Sequence, residues 1–104
     1  MQGFFNRLLR VDLSTRKTTV EPIPESVLHD YLGGKGLGSY LLLKENPPRI
    51  DPFSPQNHLI FTLGPLADTP FYGSSRYAVF TKSPQTGIYS ESYSGGKITL
   101  PLSR

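Results

Sequence analysis

From Arg7 to Leu13 polar and apolar residues nearly alternate, the period-two pattern of a half-buried strand. Ser14 to Lys17 read as a turn, and Thr18 to Glu21 return as a second strand, giving a hairpin. Pro24-Glu25-Ser26 then opens a helix with early acidic charge, as the helix dipole favours. Val27, Leu28, Tyr31 and Leu32 form its apolar stripe. Gly33 to Gly36 interrupt, and Leu37 to Lys44 form a second helix with Leu37, Tyr40, Leu41 and Lys44 on one face. Asn46-Pro47-Pro48 ends it. A proline-rich loop over Asp51–Asn57 leads into a short buried strand, His58 to Leu63, which Gly64-Pro65 closes. After a loop from Leu66 to Ser75, strands are expected at Tyr77–Lys82 and Ile88–Ser92, around the turn Ser83–Gly87. The order β-β-α-α-β-β-β lacks the β-α alternation of a parallel sheet and predicts an α+β, mostly antiparallel fold.

At 104 residues the chain is one small domain with a modest core. Ten glycines and ten prolines are dispersed between apolar runs, which fits a turn-rich folded domain and not a disordered tail. The absence of cysteine excludes disulfides and any thiolate-held metal or cluster within these residues. The net charge of +3 is too small, and too scattered, for a nucleic-acid stripe. Uninterrupted apolar runs such as Leu41-Leu42-Leu43 are only a few residues long, so no membrane span is expected. The N-terminus lacks a signal-peptide core, which makes a cytoplasmic protein the expectation. Lys97 to Arg104 begin an apolar segment and stop without a polar tail, so residues 1–104 are read as the first part of something longer.

Candidate chemistry concentrates between Gly73 and Gly96. Two strands joined by a tight turn bring their far ends together, setting Arg76 beside the turn Ser94-Gly95-Gly96. A guanidinium facing exposed backbone N–H groups suits a polyanionic, ring-containing ligand. Each part also has a plainer reading: Arg76 as a surface residue, Ser94–Gly96 as an ordinary turn. Gly33 to Gly38 resemble a phosphate loop but fail the Walker spacing, because no Ser or Thr follows Lys35. They also fail G-x-G-x-x-G, because Ser39 and Leu41 stand where glycine is needed. Two readings remain: a helix–helix junction needing left-handed backbone, and helix N–H groups with Lys35 meeting an anion. His29 and His58 have no partner at metal-ligand spacing, the carboxylates are scattered, and no nucleophile–base pair stands out. Glu91 alone lies near the proposed site.

With those residues in view, the chain resembles the N-terminal domain of the tungsten-containing aldehyde:ferredoxin oxidoreductase family. The resemblance runs nearly end to end. It is carried by Arg10–Thr15, Tyr31–Gly38, Asp51–Asn57, Gly64-Pro65-Leu66, Arg76-Tyr77, Thr81–Gly87 and Ser94-Gly95-Gly96, in this order and spacing.

The resemblance implies oxidation of aldehydes to carboxylic acids, with two electrons passing through a 4Fe-4S cluster to ferredoxin. It implies tungsten, or molybdenum in some relatives, held by the dithiolenes of two pterins whose phosphates are bridged by magnesium. Arg76 would then hydrogen-bond the pterin and lie between it and the cluster. Tyr93 and Gly95 would line the pterin within the turn completed by Ser94 and Gly96, and the Tyr93 main-chain carbonyl would serve the magnesium. Better-known members carry Asn where Tyr93 stands; a carbonyl contact survives that change, and an Asn side-chain contact does not. Lys35 stands where Arg is common, keeping charge but losing the fork. The cluster cysteines, a second pterin loop and the acid–base residues lie past residue 104 in the family, and residues 1–104 would be the first half of a duplicated domain. The chain alone is therefore expected to be inactive, without cofactor and self-associating, as a two-fold dimer imitating that duplication. Partners of the whole enzyme would be ferredoxin and an aldehyde, with neither nucleic acid nor membrane. A non-catalytic scaffold or subunit-interaction domain of the same fold is the alternative.

Overall fold

The computed structural model describes residues 2–104. Strands β1 (Arg7–Asp12) and β2 (Lys17–Pro22) form a two-stranded antiparallel hairpin, with Leu9 opposite Val20. Helices α1 (Glu25–Tyr31) and α2 (Gly34–Glu45) follow. Strands β3 (Ile60–Leu63), β4 (Tyr77–Lys82) and β5 (Tyr89–Ser94) make a three-stranded antiparallel sheet in that spatial order. A short helix, α3 (Thr99–Ser103), comes last. The expected α+β antiparallel fold is the one found, divided between two sheets.

Helix α2 is the keel. Its Leu37 and Leu41 pack with Leu28 of α1 and with Leu8 and Ile23 from the hairpin side. Its Leu42 packs against Ala78 and Phe80 of β4, and Ile60 touches both clusters. Phe80 is fully buried, a burial that contributes roughly 1.5–3 kcal/mol. The residues facing the core are thus Leu37, Gly38, Leu41 and Leu42, one step round the helix from the stripe expected through Tyr40.

The glycine run separates the two helices as expected, at Leu32 and Gly33, but α2 starts inside it, at Gly34 and not at Leu37. Close approach explains the glycines. A Cβ at Gly38 would lie 2.2 Å from the Phe80 ring, and one at Gly36 would lie 2.4 Å from the Tyr31 carbonyl oxygen. Gly33, at φ +148°, leaves no room for a side chain against the Leu63 carbonyl. The junction reading accounts for the motif.

Two polar clamps hold the layers. The Arg10 guanidinium reaches Glu21 on β2 and Glu45 on α2, with a closest approach of 3.0 Å to each. The Asn57 amide donates to the Pro52 and Lys82 carbonyls at 2.9 and 3.0 Å, and its oxygen accepts from Asn46 at 2.9 Å. This fastens the proline-rich loop to the end of α2 and to β4. The apolar residues Leu9, Val11, Leu13 and Val20 of the hairpin stay more than half exposed.

Candidate functional site

Three local features build the site. The β4–β5 turn closes with the Gly87 N–H donating to the Ser83 carbonyl and the Ser83 N–H donating to the Ile88 carbonyl, both at 2.8 Å. Gly87, at φ +74°, is the left-handed residue that such a bulged turn requires. From there the ladder alternates, so Ser90, Ser92 and Ser94 exchange hydrogen bonds with β4. Tyr89, Glu91 and Tyr93 sit in the non-bonded pairs between them. Because β5 is an edge strand, the main-chain carbonyl of Tyr93 points outward from the sheet.

The same register sets Tyr77 opposite Ser94 and so brings Arg76 beside Gly95. A Cβ at Gly95 would lie 3.3 Å from the Ser75 carbonyl oxygen and 3.8 Å from Arg76 Nε. The pairing expected between Arg76 and the turn therefore exists. Ser94 is the last residue of β5 and not part of the turn; Gly95 leads out of the strand and the chain bends at Gly96. The Gly95 and Gly96 N–H groups find no acceptor among the described residues.

Arg76 is exposed, and among the described residues its guanidinium has no hydrogen bond or ion pair. By contrast, Arg10, Lys35 and Arg104 are each held by carboxylates. Lys35, expected to offer a spare charge at the start of α2, donates from Nζ to Glu91 Oε1 at 3.1 Å. That contact raises its pKa above the ordinary lysine value. Glu91 is held below the usual carboxylate range, first by the Tyr89 hydroxyl and then by Lys35. Desolvation pushes both Tyr89 and Tyr93 above the ordinary phenol value.

A cleft of about 600 Å³ adjoins the turn, with Thr69, Ser74, Ser75, Gly96, Lys97 and Thr99 in its wall. Thr69, Ser74 and Thr99 already donate their hydroxyl protons to main-chain carbonyls. Lys97 is the cation here that sequence reading missed; its place directly after Gly95-Gly96 was the available signal. Helix α3, which ends in this region, was read only as an apolar segment; its Arg104 is anchored to Asp68 at 2.7 Å. Among the described residues no group of three or more His, Cys, Asp or Glu could hold a metal ion. The site therefore offers binding groups: one uncommitted guanidinium, bare N–H groups and an outward carbonyl.

The sequence model described as "Aldehyde ferredoxin oxidoreductase, N-terminal domain" matches residues 8–104. The chain belongs to this aldehyde ferredoxin oxidoreductase family. The tungsten-containing aldehyde ferredoxin oxidoreductase of Thermococcus kodakarensis is 49% identical to it over 96 residues, 92% of this chain and 16% of that protein. The Pyrococcus horikoshii protein of the same name is 47% identical over the same span. The aliphatic sulfonate oxidoreductase WOR-like subunit of Pyrococcus furiosus is 35% identical over 98% of the chain. Among solved structures, the active-site complex BamBC of benzoyl coenzyme A reductase, in complex with 1,5-dienoyl-CoA, superposes with a TM-score of 0.92. That match covers 97% of this chain and 16% of the BamBC chain, at 36% identity. The chain thus spans about one sixth of the length of these relatives. None of its described helices is long and apolar enough to cross a membrane.

Proposed function

We propose that this chain is the cofactor-cradling N-terminal segment of a tungsten or molybdenum bis-pterin oxidoreductase that oxidises aldehydes to carboxylic acids and passes the electrons to ferredoxin. The observation that carries the reading is the uncommitted Arg76 guanidinium set against the bare Gly95–Gly96 backbone. The guanidinium and the bare N–H groups lie side by side and can both meet an anionic, ring-bearing ligand.

The residues fit the organic part of such a cofactor. A fused, polar-edged ring with phosphate arms needs planar donors and close backbone approach, and Arg76 with Gly95 and Gly96 supplies both. The outward Tyr93 carbonyl offers a hard oxygen of the kind that magnesium takes. Ser94 holds the register between the carbonyl and the turn. Lys35 acts from a distance, its charge met by Glu91. When bound, the metal and its dithiolenes supply the two-electron redox chemistry. This chain's own groups bind and orient. Ligands for the metal and for a 4Fe-4S cluster belong to residues outside these 104.

The breadth of named chemistries among relatives supports a supporting role and not a substrate-selecting one. Proteins named for aldehydes, for aliphatic sulfonates and for benzoyl coenzyme A share this domain. The test is elemental and pterin analysis of the full-length gene product, purified without oxygen. Tungsten or molybdenum near one per chain, with about four irons, is the expected result. Protein that holds neither metal nor pterin, despite their supply in the medium, overturns the reading.

A further inference from the structure

Glu91 gathers more donors than any other side chain near the site. Its Oε1 accepts from Lys35 Nζ at 3.1 Å, and its Oε2 accepts from the hydroxyls of Tyr89 at 2.7 Å and Tyr93 at 3.2 Å. Tyr89 is further tied to Ser39 on α2 at 3.0 Å. Residues 89, 91 and 93 share one face of β5, by the period of a strand. On that face the rings of Tyr89 and Tyr93 flank the buried Phe80, with centroids 6.2 and 6.3 Å away. Tyr93 is half exposed, so packing against Phe80 alone does not fix its ring. The carboxylate does.

We propose that Glu91 is a positioning residue: it parks the Tyr93 ring and the Lys35 ammonium on the α2 side of the sheet, leaving the Tyr93 main-chain carbonyl as that residue's contribution to the cofactor edge. This rests on the function proposed above. Without the carboxylate, a half-exposed phenol swings about its Cα into the space beside Gly95. The long Lys35 stem is released at the same time, free to follow any anion at Arg76.

The experiment uses the full-length protein, purified without oxygen, as wild type, Glu91→Gln, Glu91→Ala, Tyr93→Ala and the Glu91→Ala/Tyr93→Ala double variant. Metal and pterin per chain are measured, and the reduction potential of the metal is titrated by electron paramagnetic resonance. Both Glu91 variants should retain pterin about ten-fold less well, the scale of losing an outer-shell partner. Their residual metal should show a shifted potential. The double variant should recover pterin, since no ring then needs parking; a purely structural role for Glu91 would give no such recovery. Glu91→Gln, nearly isosteric at a partly exposed position, serves if Glu91→Ala is insoluble. Glu91 variants that load like wild type with unchanged potential overturn the proposal, as does a double variant no better than Glu91→Ala. A wild type without metal or pterin brings down the proposed function, and this inference with it.

Discussion

Arg76 and Gly95 face one another across the open end of the β4–β5 hairpin, where a methyl group at residue 95 would sit 3.7 Å from Arg76 Cδ. The contact is ordinary van der Waals distance, so the two residues leave a slot and not a seal. Among the described residues Arg76 has no hydrogen-bond or ion-pair partner, so replacing it costs the fold little, within about 0.5 kcal/mol for an exposed substitution. Arg76→Lys keeps the charge but loses the planar fork. In the full-length protein it should lower pterin content while leaving the thermal midpoint unchanged. Equal pterin content in the two proteins would argue against a bidentate role.

Gly38→Ala tests the packing of the keel helix. The added Cβ would fall 2.2 Å from Phe80, whose ring is enclosed and cannot swing away. Overpacking of this kind costs about 1–3 kcal/mol. A fall in the urea midpoint is expected, partly recovered by adding Phe80→Leu.

Asn57→Ala removes the five hydrogen bonds by which its side chain fastens the proline-rich loop. It strands the Pro52 and Lys82 carbonyls and the Asn46 amide in partly buried surroundings. A loss of about 2–3 kcal/mol follows, from leaving buried polar groups unmatched. Denaturant melts would show it, and amide exchange across residues 51–57 should quicken.

Acid should loosen the domain through particular carboxylates. Glu21 is depressed by Arg10, Glu91 by Tyr89 and Lys35, and Asp68 by Arg104. A depressed folded value means that the stabilisation is whole above the ordinary carboxylate range, about pH 4. It drains away as pH falls through the lower folded values. Urea midpoints taken from about pH 7 down to about pH 3 should stay level and then drop. Glu91→Gln should flatten part of that drop.

The isolated 104-residue chain is expected to self-associate. Leu9, Val11, Leu13 and Val20 expose an apolar hairpin face, and Phe61 adds exposed ring surface on β3. The outer edge of β5 also carries unpaired main-chain groups. Light scattering should find a dimer at high concentration, and a Val11→Lys variant should shift it toward monomer. A monodisperse wild-type monomer would contradict this.

What was legible in the sequence was local. The β4–β5 hairpin announced itself through Ser83-Pro84-Gln85-Thr86-Gly87, and its register alone set Arg76 near Gly95. Helix α3 was hidden by Pro101, which reads as a breaker. Yet it falls in the first turn, where its missing N–H has no helical acceptor to lose. The capture of Lys35 by Glu91 joins residues 56 apart in the chain, and no spacing rule reaches that far. The glycines of 33–38 were legible as a helix junction, but the close approaches that require Gly36 and Gly38, to the Tyr31 carbonyl and the Phe80 ring, were not.

Arg10 has a last consequence. One guanidinium answers a carboxylate on the hairpin and another on the final turn of α2. Neither element can pull away without abandoning an acid to water and leaving the arginine half-matched. The hairpin and the end of the helix therefore open as one unit, and deuterium should enter both at a common rate.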